Sequence, residues 1–306
     1  MDRQLLAIVG PTASGKTEVG ILVAEALRGE IVSADSMQVY RGMDIGTAKP
    51  APQQRARVPH HAIDIIEPDE PFSVADYRER ADAALADIRA RGKQPILVGG
   101  SGLYVRAVLE EMDFAVPPDR ELRRQLTEEA RNKGLSALYA RLTETDPQAA
   151  ARIHPNDQKR IIRALEVAQQ AGRGERPVDR ARAPRYNAMQ FGLTAPRDEL
   201  YRRIEARVEA MLAAGLAEEV RGLLERGWDE RLVSMKGLGY AQMLLYLRGE
   251  IPLEEAVRRL KRDTRRFAKR QLTWFRADPR IRWIDVDQAG GRSGVAEIVL
   301  REWRPA

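Results

Sequence analysis

The 306-residue chain contains no cysteine, which removes disulfides, thiolate metal sites and cysteine nucleophiles together. Histidine is scarce as well, at three residues, and two of these, His60 and His61, are neighbours. Adjacent side chains on extended chain point to opposite faces, and with only His154 besides, no zinc set is complete, so the pair reads as structural. No apolar run approaches the ~20 residues that a membrane helix needs. Met1-Asp2-Arg3-Gln4 followed by five apolar residues lacks the apolar stretch of a signal peptide. A soluble cytoplasmic protein without membrane attachment is therefore expected. Internal repeats and low-complexity tracts are missing too, and glycine (23) and proline (17) sit near average usage, which excludes collagenous and largely disordered classes.

What is present is a chain 43% hydrophobic and 31% charged, long enough to bury one large core or two modest ones. Its formal net charge is +6, and the distribution is more informative than the total. Residues 258–276 hold nine basic side chains and one acid, and residues 117–185 hold fifteen and ten, so the remainder is net acidic. A positive field confined to two stretches suits a protein that grips phosphates with part of its surface.

Leu5-Leu6-Ala7-Ile8-Val9 reads as a strand, followed by a helix with Ile21, Leu22, Val23 and Leu27 and a stop at Gly29. Glu30-Ile31-Val32-Ser33 and Pro95-Ile96-Leu97-Val98 read as further strands. Between them Ser73 and Asp76 form a capping box ahead of Val74, Tyr77, Ala81, Leu85 and Ile88, with Gly92 as the stop. The order β-α-β-α-β predicts a parallel sheet with helices on its faces and ligands at the carboxyl ends of the strands. Val116-Pro117-Pro118-Asp119 interrupts this pattern, and the chain then reads helical to about Arg185. Short strands resume at Met189–Leu193 and Ile281–Val286. The expected organisation is a catalytic α/β core of residues 1–116 and 186–306, a P-loop NTPase-like parallel sheet flanked by helices, with an all-helical insertion at residues 117–185.

Gly10-Pro11-Thr12-Ala13-Ser14-Gly15-Lys16-Thr17 matches G-x-x-x-x-G-K-[ST] between a strand and a helix. The glycines let the backbone curl so that N–H groups point at a phosphate, Lys16 reaches outer oxygens, and Thr17 is placed to ligate Mg²⁺. An ordinary glycine-rich turn would not satisfy all four fixed positions and both flanking elements. The loop recognises phosphate without naming its bearer. An ATPase normally ends a later strand with a Mg²⁺-binding Asp, yet Ile96-Leu97-Val98 runs into Gly99-Gly100-Ser101-Gly102. The acid occurs instead as Asp35, at the end of the second strand, either as a base or as the cap of the turn that follows.

Three runs together resemble the bacterial tRNA isopentenyltransferase family, the tRNA dimethylallyltransferases: Gly10–Thr17, Asp35-Ser36-Met37-Gln38-Val39-Tyr40 with Gly42–Pro50, and Gly99-Gly100-Ser101-Gly102-Leu103-Tyr104. The resemblance continues through Asn156-Asp157, Arg160, Arg163–Glu166, Lys236–Tyr240 and Ala268–Trp274, almost the whole chain. Ser101, where many members carry threonine, and Leu238, where valine or isoleucine is common, are small departures. The resemblance implies transfer of a dimethylallyl group from its diphosphate to N6 of the adenosine 3′ of the anticodon. On this reading the phosphate loop holds a diphosphate leaving group, and Asp35 takes the proton from N6. It further implies Thr12 near the reacting centre and Arg207 as a diphosphate-binding arginine, although a solvated arginine on an amphipathic helix is the plain alternative there. Mg²⁺ is the expected cofactor.

A target base in an anticodon loop must be unstacked into a pocket, and phosphate contacts supply the energy. Arg258, Arg259, Lys261, Arg262, Arg265, Arg266, Lys269 and Arg270 recur at helical spacings, with Phe267, Trp274 and Phe275 between them, as an RNA-facing helix would. A solvated basic helix is the competing reading. By resemblance, Asp35, Ser36, Met37, Gln38, Ser101, Arg123 and Lys159-Arg160-Ile161-Ile162-Arg163 also follow the tRNA path. The expected partners are the tRNA anticodon stem loop and dimethylallyl diphosphate, with the chain a monomer and no obligate protein partner. Two other classes remain open. One is an ATP-dependent small-molecule kinase, which the two basic stretches do not suit. The other is a nucleotide-switch RNA-binding module, disfavoured because no N-K-x-D motif is present.

Overall fold

The computed structural model describes residues 4–112, 114, 119–170 and 183–303. Met1–Arg3, the expected break at Val116–Pro118 and residues 171–182 of the expected insertion lie outside them. Residues 1–111 and 184–306 form one compact unit and residues 112–183 a second.

In the first unit the chain runs β1 (Gln4–Val9), α1 (Lys16–Ala26), β2 (Glu30–Ala34), α2 (Pro52–Arg57), β3 (His60–His61), α3 (Val74–Ala90), β4 (Pro95–Gly99) and α4 (Gly102–Leu109). The second unit contributes α5 (Arg120–Lys133), α6 (Leu135–Thr145), α7 (Pro147–Arg152) and α8 (Gln158–Gln170). The first unit then resumes with β5 (Asn187–Thr194), α9 (Arg197–Ala213), α10 (Leu216–Glu225), α11 (Tyr240–Leu247), α12 (Leu253–Arg276), β6 (Ile281–Asp285) and α13 (Gly291–Glu302). Six strands make one sheet in the order β3-β2-β4-β1-β5-β6, and every pairing is parallel.

The apolar runs of β1 and β4 follow from this arrangement. A sheet covered on both faces buries every residue, so its strands lose the alternation of an exposed sheet. Leu5, Ala7 and Val9 enter one core with Tyr77 and Leu85 of α3 and Leu260 and Phe275 of α12. Leu6 and Ile8 enter another with Val19 and Ile21 of α1 and Val295 and Val299 of α13. At about 1.5–3 kcal/mol per fully buried aliphatic side chain, these two cores fix the sheet.

The expected helix starts and stops hold. Ser73 Oγ accepts from the Asp76 N–H at 3.2 Å, and the Ser73 N–H donates to Asp76 Oδ2 at 2.7 Å. Past the end of α3, Gly92 takes φ +70°. One strand escapes the sequence reading: β3 is only two residues long, too short for any periodicity to register. It also accounts for the histidine pair. His61 Nε2 meets Glu30 Oε2 at 2.7 Å and His60 Nδ1 meets the Val58 carbonyl at 2.7 Å. Among the described residues no group of three or more His, Cys, Asp or Glu is arranged to hold a metal ion, and no helix is long and apolar enough to cross a membrane.

The second unit has its own small core, in which Leu126, Leu138, Leu142, Ile161 and Leu165 are buried. Glu166 is fully buried beside them. It accepts from Arg123 at 2.9 and 3.0 Å, from Arg163 at 2.6 Å and from the Asp119 N–H at 2.5 Å. Burial alone would lift this carboxyl; the two guanidinium groups hold it below the ordinary carboxylate range.

Candidate active site

Parallel strands bring their carboxyl ends to one edge, and five chain segments meet there. β1 delivers the phosphate loop, β2 delivers Asp35, β4 delivers Gly99-Gly100-Ser101, and α9 and α12 pack alongside. The loop geometry requires its small residues. Gly10 has φ +139°, and a Cβ there would lie 2.5 Å from the Leu193 carbonyl oxygen of β5. Ala13 takes φ +63° and Gly15 +88°, so the backbone reverses hand twice before α1 begins, which curls the intervening N–H groups toward a common point. Between β1 and β2, a Cβ on Gly99 would come within 2.1 Å of the Ala34 carbonyl oxygen; glycine there lets the end of β4 close against the residue before Asp35.

Asp35 is set by its turn. Its Oδ1 accepts from the Met37 N–H at 2.9 Å, and the Ser36 N–H donates to Ser101 Oγ at 2.9 Å. The hydroxyl therefore does its work whether serine or threonine stands at 101. Beneath the turn, the Tyr77 hydroxyl donates to the Ser33 carbonyl at 2.9 Å, and its ring stacks on Tyr104 at 3.9 Å. Gln38 is buried and spent internally: Ser33 Oγ donates to its Oε1 at 2.9 Å, and its amide donates to the Thr47 and Ala48 carbonyls.

The charges are coupled. Desolvation lowers Lys16 to about 7, with Arg207 adding to the fall and Asp35 opposing it. Desolvation pushes the Asp35 carboxyl up, against the N–H groups of Met37 and Gln38 and the charges of Lys16 and Arg207. Arg207 is itself lowered, first by desolvation. Lys16 and Asp35 each respond to the other and to Arg207, and Arg207 responds to Asp35, the kind of arrangement that clusters at functional sites. Arg207 Nη1 donates to Thr12 Oγ1 at 3.0 Å, so this arginine of α9 meets the phosphate loop and is not a solvated surface residue. Lys16 Nζ donates to the Pro11 carbonyl at 2.5 Å.

A cavity of about 450 Å³ opens against the loop, with Ala13, Gly15, Lys16, Thr17 and Arg207 in its wall. Thr17 Oγ1 makes no hydrogen bond among the described residues. That leaves a hydroxyl at the cavity wall, where the carboxylate of Glu18 is held by Arg57 and Gln54, a donor pattern that fits a divalent cation held mostly by ligand oxygens and water.

Three residues here were not picked out by sequence. Gln271 of α12 bridges the site: its Oε1 accepts from the Thr12 N–H at 2.8 Å, and its amide donates to the Gly100 carbonyl at 2.9 Å. A signal existed, because Gln271 sits on the buried stripe Ala256, Leu260, Thr264, Ala268, Phe275, where a polar side chain must find partners. Arg292 of α13 lines the cavity. Glu219 of α10 accepts from the N–H groups of Asp44, Ile45 and Gly46 at 2.9, 2.7 and 3.1 Å and from the Tyr240 hydroxyl at 2.7 Å. This holds the Gly42–Pro50 run whose carbonyls grip Gln38. Glu219→Ala leaves four donors short of an acceptor and is expected to lower stability by about 2–3 kcal/mol; urea unfolding checks it, and a loss under about 0.5 kcal/mol would mean that water replaces the carboxylate.

The basic residues named from sequence are less uniform than their spacing suggests. On α12, Arg258 and Arg259 pair with Glu255, Lys261 with Glu209, Arg262 with Asp263 and Arg265 with Glu205. Arg266 lies 3.7 Å from Asp263, while Lys269 and Arg270 have no carboxylate partner among the described residues. In the second unit Lys159 and Arg160 are exposed. Arg123 and Arg163 are engaged with Glu166, and the side chains of Ile161 and Ile162 are buried in the core.

Residues 38–278 match the family model described as IPP transferase. The chain is 56% identical over 298 residues to a tRNA dimethylallyltransferase of Desulforudis audaxviator, covering 97% of this chain and 96% of that one. Among solved structures, the tRNA isopentenylpyrophosphate transferase of Bacillus halodurans is 43% identical, with a TM-score of 0.73, covering 98% of this chain and 96% of that one. A eukaryotic dimethylallyltransferase acting on tRNA is 26% identical with a TM-score of 0.80, over 97% of this chain and 78% of its own.

Proposed function

We propose a function from one premise: the chain belongs to the IPP transferase family, the tRNA dimethylallyltransferases. It transfers a dimethylallyl group from dimethylallyl diphosphate to the exocyclic N6 of the adenosine 3′-adjacent to the anticodon in tRNA and releases diphosphate. The observation that carries this reading is the placement of a carboxylate, Asp35, at the end of β2 on the sheet edge that also carries the phosphate loop, where Arg207 donates to Thr12 at 3.0 Å. An alkyl transfer needs a proton acceptor beside a diphosphate cradle, while the metal-binding acid with which an ATPase normally ends a later strand is replaced here by Gly99-Gly100-Ser101, and a small-molecule kinase has no use for the two basic stretches.

In the step, the N6 lone pair attacks the allylic C1, the C1–O bond breaks, the electron pair leaves with the diphosphate, and the N6 proton passes to Asp35. Gly10–Thr17 cradle the leaving group through loop N–H donors, while Lys16 and Arg207 neutralise its growing charge. The Arg207 bond orients Thr12 toward the same oxygens. Mg²⁺, held by Thr17 and the diphosphate, would add further charge neutralisation when bound. On the RNA side, Ser36, Met37 and Ser101 line the turn at Asp35. Arg123 and Lys159–Arg163 of the second unit, and Arg265, Arg266 and Lys269 of α12, contribute phosphate contacts. Within these groups Lys159 and Lys269, exposed and without a carboxylate partner among the described residues, and the exposed Arg160 and Arg266, each beside one aspartate, carry most of the charge available to RNA, while Ile161, Ile162 and Gln38 support the backbone.

Incubating the protein with an anticodon stem-loop RNA and dimethylallyl diphosphate should add one C5 unit to the RNA, with release of diphosphate, by mass spectrometry. Unmodified RNA alongside ATP turnover on a small alcohol would replace this reading with the kinase one.

A further inference from the structure

The cavity against the phosphate loop is lined by five cations, Lys16, Lys49, Arg203, Arg207 and Arg292, and by the acid Glu18. They are not equivalent. Lys49 is neutralised by Asp44 at 2.6 Å and Asp64 at 2.5 Å, and Arg203 by Glu199 at 2.7 Å and by Asp287. Glu18 faces Arg57 at 3.5 Å and accepts from the Gln54 amide. Lys16, Arg207 and Arg292 have no ion-pair partner among the described residues, so three basic groups of the wall stand without a paired carboxylate.

Arg292 is placed there deliberately by the backbone. Gly290 and Gly291 take φ +79° and +84°, and a Cβ on either would meet no neighbour, so these glycines serve the turn that starts α13. The arginine stem then lies over the loop: a Cβ built on Gly15 would sit 3.3 Å from Arg292 Nε and 3.4 Å from its Cγ. It is close enough to Arg207 to contribute to the lowering of that guanidinium. Gathering like charges without a counter-anion is unfavourable unless a ligand of several negative charges completes the set.

The geometry points to Arg292 as a further diphosphate-binding residue, one that engages the outer phosphate of the donor and lets the site distinguish a diphosphate from a monophosphate. Lys16 and Arg207 hold the inner part of the cradle, and Arg292, on the solvent side of Gly15, meets the charge that only a second phosphate brings. The inference rests on the proposed donor chemistry, deepening the same site.

The test compares wild type, Arg292→Gln and Arg292→Lys by calorimetric titration with inorganic diphosphate and with orthophosphate, and by steady-state prenylation of stem-loop RNA. Arg292→Gln should raise the diphosphate Kd and the donor KM on the order of tenfold, as loss of one charge-assisted contact does. The orthophosphate Kd and the RNA KM should move by less than about twofold. Arg292→Lys should recover part of the loss. An unchanged diphosphate Kd in Arg292→Gln, with the circular dichroism of wild type, overturns the inference, and so does equal weakening of both anions. Failure of wild type to prenylate RNA while it still binds diphosphate would count against the donor reading alone.

Discussion

Asp35→Asn should fold, bind donor and RNA with near wild-type affinity, and transfer the prenyl group on the order of 10²–10⁴ times more slowly. The asparagine is close in shape, and its Oδ1 can still accept from the Met37 N–H that Asp35 engages at 2.9 Å, so the turn survives. What disappears is the proton acceptor. Because burial raises the Asp35 carboxyl, its ionised form costs stability in the folded state. Neutralising it should leave the thermal midpoint at neutral pH equal to or above wild type. Single-turnover prenylation with donor and RNA pre-bound separates the two quantities. In wild type the rate should rise with pH through the raised Asp35 value, and in Asp35→Asn that limb should vanish. A variant within about threefold of wild type would remove Asp35 as the base.

That Asp35 was nameable from sequence at all reflects how local its signal is. A strand end, a following turn and a phosphate loop are each written in consecutive residues, and strands β1 and β4 were legible for the same reason: buried parallel strands are unbroken apolar runs bounded by glycine or proline, while β2, β5 and β6 show shorter apolar stretches between polar residues. The remainder of the site is non-local. Arg292 reaches Gly15 from 277 positions away in the chain, and Glu219 reaches Asp44 from 175; no spacing rule covers such separations. Gln271 was hidden by its company, because nine basic side chains in residues 258–276 draw attention to the solvent face of α12, while the residue that touches the phosphate loop lies on the opposite stripe. The cations of that face also look more available in sequence than in the fold, where Glu205 and Glu209 come from α9 to meet Arg265 and Lys261.

Lys16→Met is expected to cost the second large effect, on the order of 10²–10³ in kcat, because it removes a fixed cation from the point where the departing diphosphate gains charge. The pH dependence makes the assignment specific. Burial pushes Lys16 down to about 7, so it is charged below that value and neutral above it. Binding an anion needs the charged form, hence the affinity for inorganic diphosphate should fall as pH rises above 7, approaching about tenfold per pH unit, with a proton taken up on binding at pH 8. Stability should move the other way. Between about 7 and the ordinary lysine value of 10.5 the unfolded chain holds a proton that the folded chain has lost, so this residue makes unfolding harder as pH climbs through that window. Titration calorimetry in buffers of different ionisation enthalpy reads the first trend, and thermal melts from pH 6 to 9 read the second. Lys16→Met should flatten both at once. A variant that keeps the alkaline loss of diphosphate affinity would assign that titration to another group and leave Lys16 with no part in binding the leaving diphosphate.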